Sequence, residues 1–408
     1  MYLLKKNDSR NLGLALCVVG IPLGMYFDFI FKGNLKWTMI FMAVSVFLIA
    51  DWKNIVLFRY PSFNILILWV CVYQFIMLFY GCFSDNMDTQ LLFYHLLLLA
   101  FCLALSSVKK GIDLNKWPTY VFILSIPSVI LGTFFCASGL LNQDDTAFSI
   151  RASMGEDYNL NFLTIQAGVL YLFYSIMCVE RKTTLMKMAM LIMGLMGGYV
   201  MLFGNKRTPI FILILSFFFF LYSKRKLTLK LHPRVFASIF VSVGILCVSY
   251  YSIEFIQQNV DRFIESFYNG VAGLMGGNNA DLSVELRIEN RRWASNYISE
   301  NFTAINYLVG GGYMVRWIDF PLFQSYLDMG IVGLLFFISL VVFYPLGMIR
   351  KRINNNVLIF VLMLTLYPMF GIFSTGHPYQ YAKYLPCCLT AFVYLQYKNN
   401  VRNNSKGK

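Results

Sequence analysis

The chain has 408 residues, of which 58% are hydrophobic, 17% aromatic and only 13% charged, and its mean hydropathy is +0.61. That composition excludes a soluble globular enzyme and makes lipid the main solvent. A formal charge of +14 would point to nucleic acid in a soluble protein, but the basic residues fall in short turns such as KKGIDLNK and SKRKLTLKLHPR, so membrane topology accounts for the excess and no nucleic-acid partner is expected.

A helix needs about 20 apolar residues to cross about 30 Å of hydrocarbon. In chain order, runs that meet or approach this length lie at 12–30, 35–50, 63–80, 91–108, 119–141, 161–179, 188–203, 210–222, 235–253, 321–343, 356–375 and 382–397. Those at 35–50, 188–203, 210–222 and 382–397 are short, so each must borrow flanking residues, thin the bilayer or sit partly re-entrant. The expectation is an all-α, polytopic transmembrane bundle of about 12 spans.

Lys5, Lys6 and Arg10 precede the first run as in a signal peptide, yet that run is long and ends at Asp28 without a small-residue cleavage pattern. An uncleaved first helix is expected. With the N-terminus inside, about two thirds of the 34 Lys and Arg fall in cytoplasmic segments, so both termini are predicted to be cytoplasmic. Acidic residues show the opposite bias: only Asp8, Asp51, Asp113 and Glu180 lie on that side. Of the nine cysteines, Cys17, Cys71, Cys102, Cys178, Cys247, Cys387 and Cys388 fall inside runs, with no CxxC and no metal-like spacing, and read as apolar core residues.

The chain divides into residues 1–253, with nine spans and short loops; 254–320, one large external loop; and 321–408, with three spans and a short cytoplasmic tail. A smaller external loop occupies 142–160. Within the large loop, Val260, Ile264, Phe267 and Val271 share a helical face suited to a membrane surface. A second helix is expected from Ser283 through SVELRIENRRWASNYISE, ending before the NYLVGGGY turn.

The spans hold few ionisable groups: His95, Asp328 and Lys383. Ion-driven transporters keep such groups along their path, so the pattern favours chemistry at the outer surface. The external arginines are Arg151, Arg207, Arg262, Arg287, Arg291, Arg292 and Arg316. Arg287 and Arg291 stand four apart with no acid three or four residues away, whereas Arg292 has Glu289 at i−3. Two readings follow. Either Arg292 pairs with Glu289 on a solvated face while the others reach headgroups, or Arg287 and Arg291 face a pyrophosphate, for which a guanidinium supplies bidentate donors. Arg207, in NKRTP, reads equally as a snorkelling interfacial residue.

The order of these pieces resembles the bacterial O-antigen polymerases and ligases. The matching stretches are R287-IEN-RRW293, LVGGGY313 and DFPLFQSYLDMGIVG333, whose Asp328, Gly330 and Gly333 take the family's acidic-x-Gly-x-x-Gly helix start. SIRASMGEDYNLNFLT, with Arg151 and Asn161, and FGNKRTPIFILIL, with Arg207, resemble its other two arginine-bearing segments. The resemblance spans residues 145–340. It implies metal-independent, cofactor-free glycosyl transfer between undecaprenyl-pyrophosphate-linked oligosaccharides at the outer face of a bacterial cytoplasmic membrane, for O-antigen, capsule or exopolysaccharide. A flippase and a chain-length regulator of the same pathway are the implied protein partners.

Arg151, Arg207, Arg287, Arg291, Arg292 and Arg316 are then the expected pyrophosphate or sugar contacts, with Trp293 and Trp317 available to stack on sugar rings. The acceptor hydroxyl needs a base, for which Glu285, Glu289, Asp319, Asp328 and His377 are the candidates, His377, Glu285 and Asp328 foremost. Asp328 reads equally as a structural counter-ion satisfied by an arginine, with its glycines serving close packing, and His377 as a turn residue beside Pro378. Ligases of this family place a His in the long loop, and residues 254–320 contain none, which favours polymerase. The alternatives are a ligase and a lipid-glycan flippase.

Overall fold

A computed structural model describes residues 6–31, 36–54, 89–108, 114–138, 162–180, 183–203, 207–224, 250–252, 254, 257–258, 261, 264, 268, 282–351, 355–373 and 376–406. Among them every regular element is helical and no strand occurs. In order these are α1 (Lys6–Ile30), α2 (Trp37–Ile49), α3 (Thr89–Ser107), α4 (Trp117–Ala137), α5 (Phe162–Cys178), α6 (Thr184–Phe203), α7 (Arg207–Ser223), α8 (Leu282–Asn301), α9 (Ala304–Val309), α10 (Pro321–Ile338), α11 (Tyr344–Arg350), α12 (Asn356–Gly371) and α13 (Tyr381–Lys406). The apolar runs at 63–80 and 235–249 and the loop at 142–160 lie outside the described residues.

Among the described residues, four helical stretches are long and apolar enough to cross a membrane: Asn7–Ile30, Leu114–Ala137, Thr184–Leu202 and Pro321–Arg350. Five shorter apolar helices accompany them, at Trp37–Ile49, Phe93–Ser107, Ile165–Cys178, Thr208–Ser223 and Asn356–Gly371. The run expected to be short at 188–203 is extended at its start by Thr184 to Lys187 and reaches spanning length.

The exterior fits lipid. On α6, Leu185, Met188, Leu191, Ile192 and Leu195 are all exposed, as are Phe211, Ile214, Phe217 and Phe218 on α7. Such large apolar faces are costly in water and ordinary against hydrocarbon. At the centre, α12 is apolar all round and buries every residue from Val357 to Leu366. It packs against α5, α7 and α13.

Close approach of α1 and α2 rests on small residues. A Cβ at Gly13 would lie 2.8 Å from Leu48 Cβ, one at Gly20 2.8 Å from Phe41 Cβ, and one at Gly24 2.6 Å from the Thr38 backbone. This is the packing by which helices associate when apolar contact alone gives no advantage over lipid. Asp28 closes the hairpin by accepting the Trp37 N–H at 2.6 Å, which satisfies an orphan donor at the start of α2.

The opposite end of the hairpin carries a buried ion pair, Arg10 Nη2 to Asp51 Oδ2 at 3.0 Å, and Asp51 N–H donates to Ser107 Oγ of α3 at 2.8 Å. Lys116 reaches Asp8 at 3.1 Å nearby, and Asn356 at the start of α12 bonds Glu180 and Lys224. Six cysteines (Cys17, Cys102, Cys136, Cys178, Cys387 and Cys388) are free and buried, as a core role requires, with Cys102 Sγ 3.7 Å from Cys388 Sγ. Cys71 and Cys247 lie outside the described residues. Trp52 is exposed, whereas Trp117 is fully buried edge-on to Phe360.

Candidate functional site

The expected second helix of the large loop is α8, which runs to Asn301. Contrary to expectation, the chain does not pass straight into a turn. Thr303 and Asn306 form a reciprocal capping box that starts the short helix α9, with the Thr303 N–H donating to Asn306 Oδ1 at 3.0 Å. The glycines follow α9 and not α8.

These glycines wedge into α10, which is broken where a continuous span was expected. Gly330 has φ +63 and ψ −162, outside helical geometry. The break leaves the Leu327 and Asp328 carbonyls without their usual helical donors, and they accept instead from the Gly311 N–H at 2.8 Å and the Gly312 N–H at 3.1 Å. Both strands of the junction need glycine. A Cβ at Gly310 would lie 2.2 Å from the Asp328 carbonyl, and one at Gly330 2.4 Å from that of Leu308. Beyond Ile338 the helix passes through a π turn at Ser339–Phe343 and continues as α11 to Arg350, further than the 343 expected.

Asp328 is fully buried two residues before the break. Its Oδ2 accepts from the Tyr379 hydroxyl at 2.7 Å and Gln324 Nε2 at 3.2 Å, and its Oδ1 from the Val315 N–H at 3.3 Å. Among the described residues its partners are neutral donors, not the expected arginine. Gln324 Nε2 also reaches the Arg316 carbonyl at 3.3 Å, so Asp328 fixes both the strap 313–320 and the loop 376–380.

On this base sits a small apolar cluster of Ala294, Ile318 and Leu327, with Trp293, Tyr297, Ile298, Phe302, Val315, Phe320 and Phe323 around it. It clamps α8 onto the top of α10. Two arginines are carried on its rings: the Arg291 guanidinium lies 4.2 Å from the Phe320 centroid, and that of Arg316 lies 4.7 Å from Trp293. Trp293 stacks in turn on Tyr297 at 5.1 Å. Ring faces hold cations while leaving guanidinium edge donors for other partners.

His377 is buried beside this layer, its ring 4.8 Å from Trp317 and 5.6 Å from Tyr379, and its Nδ1 has no hydrogen-bond partner among the described residues. Burial, with Lys383 and His95 adding to it, pushes the imidazole down to about 3 from 6.5, so it is neutral at ordinary pH. It is more enclosed than a turn histidine. Asp319 at the same end accepts the Gly376 N–H at 2.6 Å, which closes the loop.

The structure thus gathers Arg291, Arg316, Trp293, Trp317, Asp319, Asp328 and His377 at one end. Arg292 and Glu289 are exposed on α8 and, among the described residues, form no ion pair with each other. Arg287 and Glu285 lie on the first turns of α8 and Arg207 begins α7, with backbone positions alone described. Arg151, Arg262 and Asn161 fall outside the described residues, as do Val260, Phe267 and Val271. Sequence reasoning missed Tyr379, Gln324 and Phe320, none of which carries a charge, although Phe320 and Gln324 lie inside the stretch DFPLFQSYLDMGIVG333. The signal that existed was Asp328 itself, which had to find donors once buried.

No described group of His, Cys, Asp and Glu has the makings of a metal site. Fold and site define an all-helical protein whose long apolar helices fit a membrane and whose one end bears an arginine and aromatic layer. Comparison with known proteins finds no match: no protein-family model, no curated protein and no solved structure corresponds to this chain.

Proposed function

We propose that this chain is a bacterial inner-membrane glycosyltransferase of about 12 spans, both termini cytoplasmic, that polymerises undecaprenyl-pyrophosphate-linked repeat units at the outer face. The observation that carries this reading is the pair of aromatic-seated arginines, Arg291 on Phe320 and Arg316 on Trp293, held by the buried Asp328 lock. Seated guanidiniums lose little freedom on meeting a planar array of phosphate oxygens and can stabilise the charge that grows on a leaving pyrophosphate. The resemblance to O-antigen polymerases supplies the substrate class.

In the reaction, an acceptor sugar hydroxyl attacks the anomeric carbon of the donor glycan. The bond from that carbon to the pyrophosphate oxygen breaks, undecaprenyl pyrophosphate departs, and the hydroxyl proton passes to a base. Asp328 has Tyr379, Gln324 and the Val315 N–H among the donors on its carboxylate and serves the scaffold. The base role falls to His377, a neutral imidazole whose Nδ1 has no hydrogen-bond partner among the described residues. A bound pyrophosphate beside it would raise its low proton affinity towards the working range.

The test is to supply purified protein in liposomes with its lipid-linked repeat unit, without added metal, and to resolve the products by length. A ladder of glycans longer by whole repeats supports the polymerase. Transfer of one finished glycan to an acceptor would mark a ligase, and movement of the lipid across the bilayer without new bonds a flippase.

A further inference from the structure

The segment after α8 has a chemistry unlike the rest of the outer region. Residues 301–315 carry no charge, and α9 exposes Ile305 (70%), Tyr307 (43%), Leu308 (55%) and Val309 (39%). An apolar helix with nothing covering it is costly in water. Its neighbour is the exposed apolar side of α10, where Ile331, Val332 and Leu335 continue the same surface.

Depth can be gauged from Gly330, against which the Leu308 carbonyl packs. Counting inward from Pro321, Gly330 lies nine residues down, about 13 Å of helix rise. Counting outward from Arg350, the first basic residue at the other end, the 20 residues to Gly330 rise about 30 Å, the full hydrocarbon thickness. By either count α9 lies at or below the outer edge of the hydrocarbon.

The backbone is equipped for that position. Chain placed in lipid must satisfy its own polar groups. The Thr303 N–H bonds Asn306 Oδ1, Asn306 Nδ2 donates to the Gly310 carbonyl at 3.0 Å, Gly310 N–H to the Asn306 carbonyl at 2.7 Å, and the Gly311 and Gly312 N–H groups to α10.

Resting on the reading of α10 as a span with Pro321 outward, we propose that residues 304–313 are embedded in the outer leaflet, with Ile305, Leu308 and Val309 against lipid acyl chains. The Arg291, Trp293 and Arg316 layer then stands at headgroup height, where the pyrophosphate of a lipid-linked substrate lies. That substrate reaches the arginines sideways from the leaflet, its polyprenyl chain never leaving hydrocarbon.

The experiment uses full-length protein in phosphatidylethanolamine and phosphatidylglycerol liposomes, with a nitroxide on Leu308→Cys or, should that variant fold poorly, Ile305→Cys. Leu335→Cys on α10 and Ser299→Cys on α8 give the lipid and water references, and labelled parent protein gives the background of native cysteines. Leu308 is expected to match Leu335, with an oxygen-to-nickel-chelate collision ratio several-fold above that at Ser299. A ratio like that of Ser299 overturns the proposal, as does suppression of both collisions, which would mean that a second copy covers α9. Because the spectra need no turnover, a lipid-embedded Leu308 in a protein that makes no glycan would keep this inference and remove the polymerase. A water-exposed Leu308 beside a glycan ladder would do the reverse.

Discussion

The Tyr379 hydroxyl donates to Asp328 Oδ2 at 2.7 Å, tying the loop between α12 and α13 to the broken helix beneath the arginine layer. Tyr379→Phe removes a side-chain donor to a buried carboxylate, which should cost about 1–3 kcal/mol of stability. Thermal unfolding in detergent would read this as a lowered midpoint. An unchanged midpoint would mean that Asp328 does not depend on this bond.

The glycine junction makes a graded prediction. Gly310→Ala and Gly330→Ala each combine a positive φ with a Cβ inside 2.5 Å of facing backbone. Both should lose more than the ~1 kcal/mol that a bare conformational penalty carries. Gly312→Ala, at φ +118 with open space around it, should lose about that amount alone. Gly347→Ala, with normal φ and nothing within 4 Å, should be nearly neutral. Membrane levels and unfolding midpoints of the four variants should fall in that order.

For catalysis, Arg291→Lys and Arg316→Lys keep charge and lose planar, ring-seated donors. Each should slow glycan elongation by about tenfold or more at normal membrane levels. Arg350→Lys, on α11 at the far end of α10, should leave the rate unchanged. If the two outer variants retained full rate, pyrophosphate would have to be held elsewhere.

His377 predicts a pH dependence of known sign. Its pKa in the fold, about 3, is below the ordinary 6.5, so between those values the unfolded chain binds more protons. The stability it contributes is fully present above 6.5 and is lost as pH falls towards 3. His377→Gln should flatten the drop in unfolding midpoint between pH 7 and pH 5. Trp317, Tyr379, Lys383 and His95 surround the ring, so the residual slope in the variant reports on its neighbours.

Much of this fold was legible in the sequence. Ten of the twelve apolar runs coincide with described helices, because a run long enough for hydrocarbon leaves the backbone no alternative but helix. The break in α10 was not legible as a break. LDMGIVG reads as glycines for close packing, and only the facing glycine turn, about 20 residues earlier, shows that the backbone itself must part there. At the site, Arg291 was visible as a charge without a local acid and Arg316 as an external arginine, while their seats on Phe320 and Trp293 depend on tertiary contact. Asp328 announced its need for partners but not their identity: an arginine was the electrostatic expectation, and among the described residues neutral donors take the place.

A last prediction tests the core packing. Cys102 of α3 and Cys388 of α13 have sulfurs 3.7 Å apart and 286 positions apart in sequence. A membrane-permeant oxidant such as diamide should join them into a disulfide, detected as a linked peptide pair by mass spectrometry and absent in Cys388→Ser. Failure to link under conditions that oxidise other thiols would place α3 and α13 further apart.

The Arg10 and Asp51 pair also bears on the order in which the chain is made. Both partners lie within the first 51 residues, so the two charges can neutralise each other while most of the polypeptide is still on the ribosome. The glycine seam lets the same early segment close on itself. The third partner, Ser107, emerges later and finds the Asp51 backbone already positioned. The first hairpin therefore offers a formed surface to α3, α4 and α5, the helices that pack against it.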